Sequence, residues 1–376
     1  MVSSAVTADK CLEYAMSVSS ILTNPLEMSL QHKQAWLQDN KERSGHRWGI
    51  MIESCSCFVR ALCSNGDQKV TKNLLHNILQ LVVQPFLILP EHEELRNKTL
   101  SYVHQMILVL PEASLNVISH ILSLLLLHCN PNDVASLIQL MTQITSIYKE
   151  NCTAFFNQFL CPIVQKVSQC IGTLGHALQQ KTEEPSAAYS QDRQVVVHIE
   201  RCYYLLIKSL FKSNLGSVLH SENNVQILPT ILETLLTGFM SSDIPTSRTC
   251  VSTLQDTVQH WARELGPDRA LADSQLCQLV FQQIPEHTFQ LILRPSFNLL
   301  DAKTSLLLRD IASMQLGTAQ MFGQAYTNSL QNFLANTLQC PPQLIEQYLS
   351  LLMQPATALQ LKQFLKDFVN HSRGIS

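Results

Sequence analysis

The chain has 376 residues, a formal net charge of −3, 46% hydrophobic residues and only 11 glycines. It is longer than a single hydrophobic core usually grows, so we expect several domains or a stack of repeats. The near-neutral charge excludes a polycation that coats nucleic acid, and any nucleic-acid contact must be local. Apolar residues recur at helical spacing along nearly the whole length, which favours a helical stack.

The cysteines and the apolar segments indicate the compartment. The 12 cysteines are scattered singly along amphipathic stretches, a pattern typical of reduced, buried thiols rather than of a disulfide framework. The first residues lack the apolar core of a signal peptide. One apolar run, 79–90, is broken by Pro85, and another, 121–127, is too short to span a bilayer. We therefore expect a soluble intracellular protein without membrane insertion.

The predicted helices begin at Pro, Asn and Asp residues and are about 12 to 22 residues long. Residues 1–66 are expected to form an irregular helical start, weakly periodic up to Arg47 and lacking a capping repeat, which suggests truncation at this end. A polar, proline-interrupted surface loop is predicted at 181–191. In chain order, the predicted helices span 49–64, 69–89, 93–109, 112–128, 131–148, 152–180, 192–212, 224–240, 244–265, 269–282, 302–322, 325–338, 342–353 and 356–370.

Several helix starts carry a repeat signature. Asp243 can cap free N–H groups and Pro245 fits the first turn. One apolar face follows, formed by Cys250, Val251, Leu254, Val258 and Trp261. First-helix starts fall near residues 91, 131, 191, 244 and 301, a spacing of about 40 to 57. The pattern predicts an all-α, HEAT-like helical-repeat solenoid over 67–376, an arch-shaped α–α superhelix; the alternative is an irregular helical bundle.

No set of residues has the spacing of a catalytic or metal site. The sequence lacks a Gly-rich phosphate loop, a Gly-x-Ser-x-Gly elbow and a His-Glu-x-x-His pair. Cys55, Cys57 and Cys63 with His46 do not match zinc-ligand spacing, and the cysteines are better interpreted as buried helix residues. We expect no enzyme activity, no cofactor and no metal.

Charge is unevenly distributed along the second half. Residues 221–286 hold eight acidic and three basic residues, a stretch expected to repel a phosphate backbone. Just before it, Arg201, Lys208 and Lys212 lie at i, i+7 and i+11, within about 20° of one line on a helix, with Tyr204 between them. Such a basic stripe with an aromatic neighbour suits an RNA backbone. An ordinary solvated helix face is the alternative.

The last half of the chain resembles the tRNA exportins, the karyopherins that carry tRNA out of the nucleus. The resemblance rests on blocks in the same order, and weaker helical similarity extends towards Val70. The blocks are residues 151–164 (NCTAFFNQFLCPIV), 200–206 (ERCYYLL), 239–245 (FMSSDIP) with Trp261 beyond it, 293–304 (LRPSFNLLDAKT), 340–348 (CPPQLIEQY) and 361–368 (LKQFLKDF).

The resemblance implies a HEAT solenoid that binds mature tRNA on its concave surface together with Ran-GTP, meets nuclear pore proteins, and shuttles between nucleus and cytoplasm. From the resemblance, we expect the amino-terminal importin-β-like region, in which the family makes its main Ran contact, to be missing from these residues. Arg201 is the one stripe residue inside a matched block, and Lys303 lies in the 293–304 block. The predicted tRNA contacts are therefore Arg201, Tyr204, Lys208, Lys212 and Lys303. The competing hypothesis is a non-catalytic scaffold that binds another protein and no RNA.

Overall fold

The computed structural model describes residues 5–65, 68–109, 112–180, 187–354 and 357–373, and within these ranges every regular element is a helix. Short 3₁₀ and π turns join or extend several of them. In chain order, the α-helices are α1 Ala5–Gln31, α2 Lys33–Asp39, α3 Lys41–Asn65, α4 Gln68–Val82, α5 Gln84–Ile88, α6 Glu93–Met106, α7 Leu115–His128, α8 Pro131–Tyr148, α9 Thr153–Gln180, α10 Ala187–Lys212, α11 Leu228–Phe239, α12 Ile244–Leu265, α13 Pro267–Ala272, α14 Ser274–Gln278, α15 Ile284–Ile292, α16 Ala302–Asn332, α17 Pro342–Met353 and α18 Ala358–Ser372.

The chain divides into two compact units, Met1–Leu206 and Ile207–Ser376, with the boundary inside α10. In unit 1, side-chain contacts show that α3 and α6 run in the same direction. His46 pairs with Glu94 at 2.6 Å, and further along both helices Glu53 pairs with Lys98 at 2.6 Å. Helices that repeat in the same sense, with another helix between them, are the arrangement of α–α repeats.

The same relation continues from α6 to α8 within unit 1. Arg96 pairs with Asp133 at 3.0 Å, and further along both helices His104 Nδ1 hydrogen-bonds Gln143 at 2.9 Å. The alternate helices α4, α7 and α9 supply the second layer, in which α7 packs against α9. Unit 1 is therefore a two-layer helical stack.

Unit 2 repeats this plan with α12 and α16. Arg248 pairs with Asp310 at 2.6 Å, and further along both helices the Gln255 and Gln259 amides approach Gly317. Helix α11 packs against α12, while α17 and α18 pack against α16. The layer between α15 and these last two helices is aromatic, with Phe289, Tyr348, Phe364 and Phe368 in ring contact.

Local sequence explains where the repeat helices begin. Asn130 and Asp133 form a capping box at α8, in which each side chain accepts a hydrogen bond from the other residue's backbone N–H. Asp243 caps α12 by accepting from Thr246 N at 3.2 Å, and Pro245 occupies the first turn. The predicted starts near 91, 131, 191, 244 and 301 correspond to observed starts at 93, 131, 187, 244 and 302. The prediction of an all-α helical-repeat fold is confirmed.

Several predicted boundaries were wrong. Residues 1–66 were expected to be helical, but no individual helix was predicted before residue 49; α1, α2 and the start of α3 lie there, and Leu26 of α1 is fully buried. Of the predicted loop 181–191, residues 181–186 lie outside the described residues and 187–191 are helical. Helix α15 was missed because Pro285 resembles a break, although it occupies the first turn.

Residues 302–338, predicted as two helices, form α16 and a π turn. A positive φ of 52° at Gly323 kinks α16 near the predicted division, a conformation that glycine adopts without steric cost. The predicted domain division after residue 66 coincides with residues 66–67, which lie outside the described residues, and stays a prediction.

Candidate nucleic-acid interface

The predicted contact residues of α10 differ in accessibility. Arg201 is exposed and stays a predicted phosphate contact. Tyr204 is only 4% exposed, and its ring lies 5.7 Å from the Tyr203 ring, centroid to centroid. A buried ring cannot stack on an RNA base, so the prediction that Tyr204 contacts RNA was wrong. Tyr204 lies on the side of α10 that faces the core.

Lys208 and Lys212 end α10 inside unit 2, where they meet charges from α12 and α16. Lys212 is exposed and Lys208 is half-buried. Burial lowers the pKa of the Lys208 ammonium, and the neighbouring Lys212 charge lowers it further. Asp256 on α12 acts in the opposite direction and is the main acidic group facing Lys208. Burial in turn raises the pKa of Asp256, against the pull of both lysines.

An ion pair completes this group. Arg248 Nε donates to Asp310 Oδ2 at 2.6 Å, with the two side chains 34% and 22% exposed. We call Lys208, Lys212, Arg248, Asp256 and Asp310 the unit 2 charge cluster. Its three cations face two anions, so the cluster retains one excess positive charge, with Lys212 the most accessible cation. Sequence reasoning missed the ion pair of Arg248 and Asp310 because the two residues are 62 positions apart in the chain.

Lys303 does not join the cluster. It is exposed at the start of α16, seven residues before Asp310 and therefore about 10 Å away along the helix axis. Asp301, two residues before Lys303, caps α16 by accepting a hydrogen bond from Thr304 N at 2.9 Å. The structure thus gathers Lys208 and Lys212 and leaves Lys303 at a separate position on unit 2.

The acidic stretch 221–286 has structural uses that its composition did not reveal. Asp243 and Asp273 each cap a helix, accepting from Thr246 N at 3.2 Å and Leu276 N at 2.8 Å. Asp256 faces Lys208. Part of the negative charge is therefore committed to helix ends and to the charge cluster, and repulsion of phosphate by this stretch stays a prediction.

The geometry of the described residues gives no metal centre. Cys55 is 1% exposed, as predicted, but the predicted burial of Cys57 was wrong: it is exposed, because residues two apart lie on opposite sides of a helix. In the part of the chain that the structure describes, no three His, Cys, Asp or Glu residues are grouped so that they could hold a metal ion. None of the helices searched over the same residues is long and apolar enough to cross a membrane.

Comparison with known proteins gives one consistent result. The sequence profile of the Exportin-T family matches residues 2–373. Exportin-T of Dictyostelium discoideum is 23% identical over 96% of this chain and 34% of its own length. The mouse protein of that name is 24% identical over 91% of this chain and 33% of its own length. Exportin-T of Arabidopsis thaliana is 22% identical over 98% of this chain and 37% of its own length. The chain spans about a third of the length of these relatives.

Proposed function

Because the chain belongs to the Exportin-T family, we propose that it is a tRNA-binding segment of a nuclear export receptor. The observation that carries this proposal is the family match over nearly the whole chain. As such a segment it binds rather than catalyses. Its partners are tRNA, Ran-GTP and nuclear pore proteins, and it shuttles between nucleus and cytoplasm. Binding of tRNA and Ran-GTP is cooperative if both ligands favour the same arrangement of the repeats.

The exposed cations supply the proposed RNA contact. Arg201, Lys212 and Lys303 are accessible and positive, which suits the phosphate backbone of A-form RNA, whose recognition depends on shape and charge more than on sequence. Lys208 contributes through the charge cluster. Its protonated form is disfavoured by burial and by Lys212, so a phosphate placed between the two lysines relieves their repulsion.

Filter binding of a mature tRNA across a salt titration tests this proposal. We expect log K to fall linearly with log salt, with a slope of about 0.9 for each neutralised phosphate. The double variant Lys212→Glu and Lys303→Glu should weaken tRNA binding and reduce that slope by the amount expected for roughly two phosphate contacts. The matched control is the double variant Lys33→Glu and Lys41→Glu, at exposed lysines of α2 and α3; it changes the net charge equally and should bind like the unchanged chain.

Two results would reject direct tRNA contact. One is the absence of binding even at low salt. The other is equal weakening by the control and the double variant, since a general change in net charge would then explain both. If the Lys212→Glu and Lys303→Glu variant no longer bound tRNA but still bound a protein partner, the protein-binding scaffold would explain the binding of that partner better.

A further inference from the structure

We call the segment between α15 and α16 the Leu300 loop (residues 293–301). Its backbone is held by hydrogen bonds from a residue of unit 2 that is distant in sequence. Arg373, just after α18, donates from Nη2 to the Arg294 carbonyl oxygen at 2.6 Å and to the Phe297 carbonyl oxygen at 2.9 Å. A charged donor that meets two carbonyl oxygens forms stronger hydrogen bonds than neutral pairs do. The loop is therefore held in one conformation.

Further contacts anchor both ends of the loop. At its start, Arg294 Nη1 donates to the Met240 carbonyl oxygen at 2.8 Å. In its middle, Phe297 is only 5% exposed. At its end, Asp301 accepts from the backbone N–H of Thr304. A loop that is already ordered loses little conformational entropy when a partner binds, which favours recognition at its surface.

This fixed loop exposes a leucine. Leu300 is 92% exposed, and its backbone N–H donates to Asn298 Oδ1 at 3.0 Å. A single exposed leucine needs no explanation by itself. Here, however, Leu306 is also 37% exposed and lies about 6 Å along α16 from its first residue, Ala302. The loop and the first turns of α16 therefore present apolar side chains on a rigid support.

The charges around these leucines are mainly positive. Lys303 and Arg309 are exposed on the first turns of α16. Asp310 is paired with Arg248, and the Asp301 carboxylate, which caps α16, offsets part of the Lys303 charge, so a small excess of positive charge remains. An occupant that buries the leucines and complements this charge must be both apolar and acidic.

We propose that the Leu300 loop and the first turns of α16 form a protein-docking surface. Its occupant is a peptide segment of a partner protein that carries an aliphatic or aromatic side chain flanked by Asp or Glu. This surface shares Lys303 with the proposed tRNA contacts but includes neither Lys208 nor Lys212 of the unit 2 charge cluster. The two uses are separated by experiment.

Selection from a random dodecapeptide display library tests the chemistry. The unchanged chain is the bait. A counter-selection against the Leu300→Asp variant removes peptides that bind to other parts of the chain. We expect the surviving peptides to be enriched in Leu, Ile, Phe or Trp beside Asp or Glu. Survivors rich in Lys or Arg, or an identical set on both baits, would overturn the proposal.

Fluorescence anisotropy with the most enriched peptide then measures affinity. Leu300→Ala should weaken binding about tenfold, because burial of a leucine side chain is lost. Lys303→Glu should weaken it as well. Leu359→Ala, which truncates a 66% exposed leucine of α18, is the matched control and should bind normally.

Unfolding temperature and tRNA binding complete the test. Because Leu300 and Leu359 are both exposed, neither alanine variant should unfold earlier than the unchanged chain. Unaltered peptide affinity in Leu300→Ala rejects the docking surface. Loss of tRNA binding in that variant without loss of peptide binding would instead identify RNA as the occupant.

Discussion

At the scale of single residues, Arg96 and Asp133 form a buried ion pair that joins two helices. Both side chains are nearly inaccessible, 6% and 5% exposed, and the carboxylate also accepts the backbone N–H of Asn130. The guanidinium donates in addition to the Glu91 carbonyl oxygen at 2.7 Å. The pair therefore links the start of α6 to the capping box of α8.

Removing one partner should be costly, since it leaves the other charge buried. We expect Asp133→Ala to lower the free energy of unfolding by about 3–5 kcal/mol, measured by urea denaturation. The control is Asp310→Ala, which breaks the more exposed pair with Arg248 and should cost about 1 kcal/mol or less. Equal losses in the two variants would contradict the role assigned to burial.

The candidate interface shows how far single residues can be predicted. Spacing placed Arg201, Lys208 and Lys212 near one line of a helix, but it could not tell which side of that line meets neighbouring helices. Tyr204 lies on the buried side, and the charge of Lys208 is partly offset by Asp256, 48 residues later in the chain. Contacts between distant residues depend on how the helices stack, which the local sequence does not specify.

At the scale of helices, close approach of α3 to α6 depends on Gly45. A Cβ atom built there would lie 2.3 Å from Cδ2 of His92. That ring is held in place, because His92 caps α6 by accepting from Leu95 N and also contacts the Glu42 carbonyl oxygen at 3.3 Å. The glycine is therefore required by packing, even though it weakens the helix itself.

Two glycine-to-alanine changes should have opposite effects. Gly45→Ala should destabilise the chain by about 1–3 kcal/mol because of overpacking. Gly172→Ala, in the exposed interior of α9 with no atom within 4 Å of the new Cβ, should stabilise it by about 0.5–1 kcal/mol. Urea denaturation of both variants provides the comparison. A stabilised Gly45→Ala protein would show that the His92 ring moves aside freely.

Helices with clear boundary signals were predicted well. The ranges 131–148, 244–265 and 342–353 agree with α8, α12 and α17 at both ends, and each begins with Pro in its first turn. Within the expected helical start at 1–66, the bounds of α1 and α2 were not predicted, because their apolar residues give little periodicity and Pro25 lies inside α1. Their helical structure is supported by packing, as α1 contacts both α3 and α4.

At the scale of the whole molecule, buried thiols couple the fold to alkaline pH. Burial raises the pKa of Cys55 and Cys129 to about 11 and that of Cys152 to about 12, all from an ordinary value of 9.0. Between pH 9 and 11, the unfolded chain releases these protons while the folded chain keeps them. The unfolded state then binds fewer protons, so stability falls as pH rises through this window.

All three thiols belong to unit 1, so this unit should weaken first. We expect a loss of about 1 kcal/mol per buried thiol by pH 10 relative to pH 8, measured as the free energy of unfolding in urea. Hydrogen exchange should place the earliest opening in Met1–Leu206. Cys152→Ala should reduce the pH dependence, whatever its effect on overall stability, whereas Cys57→Ala should not, because Cys57 is exposed. A pH dependence that is the same in both variants would mean that groups other than the buried thiols control alkaline unfolding.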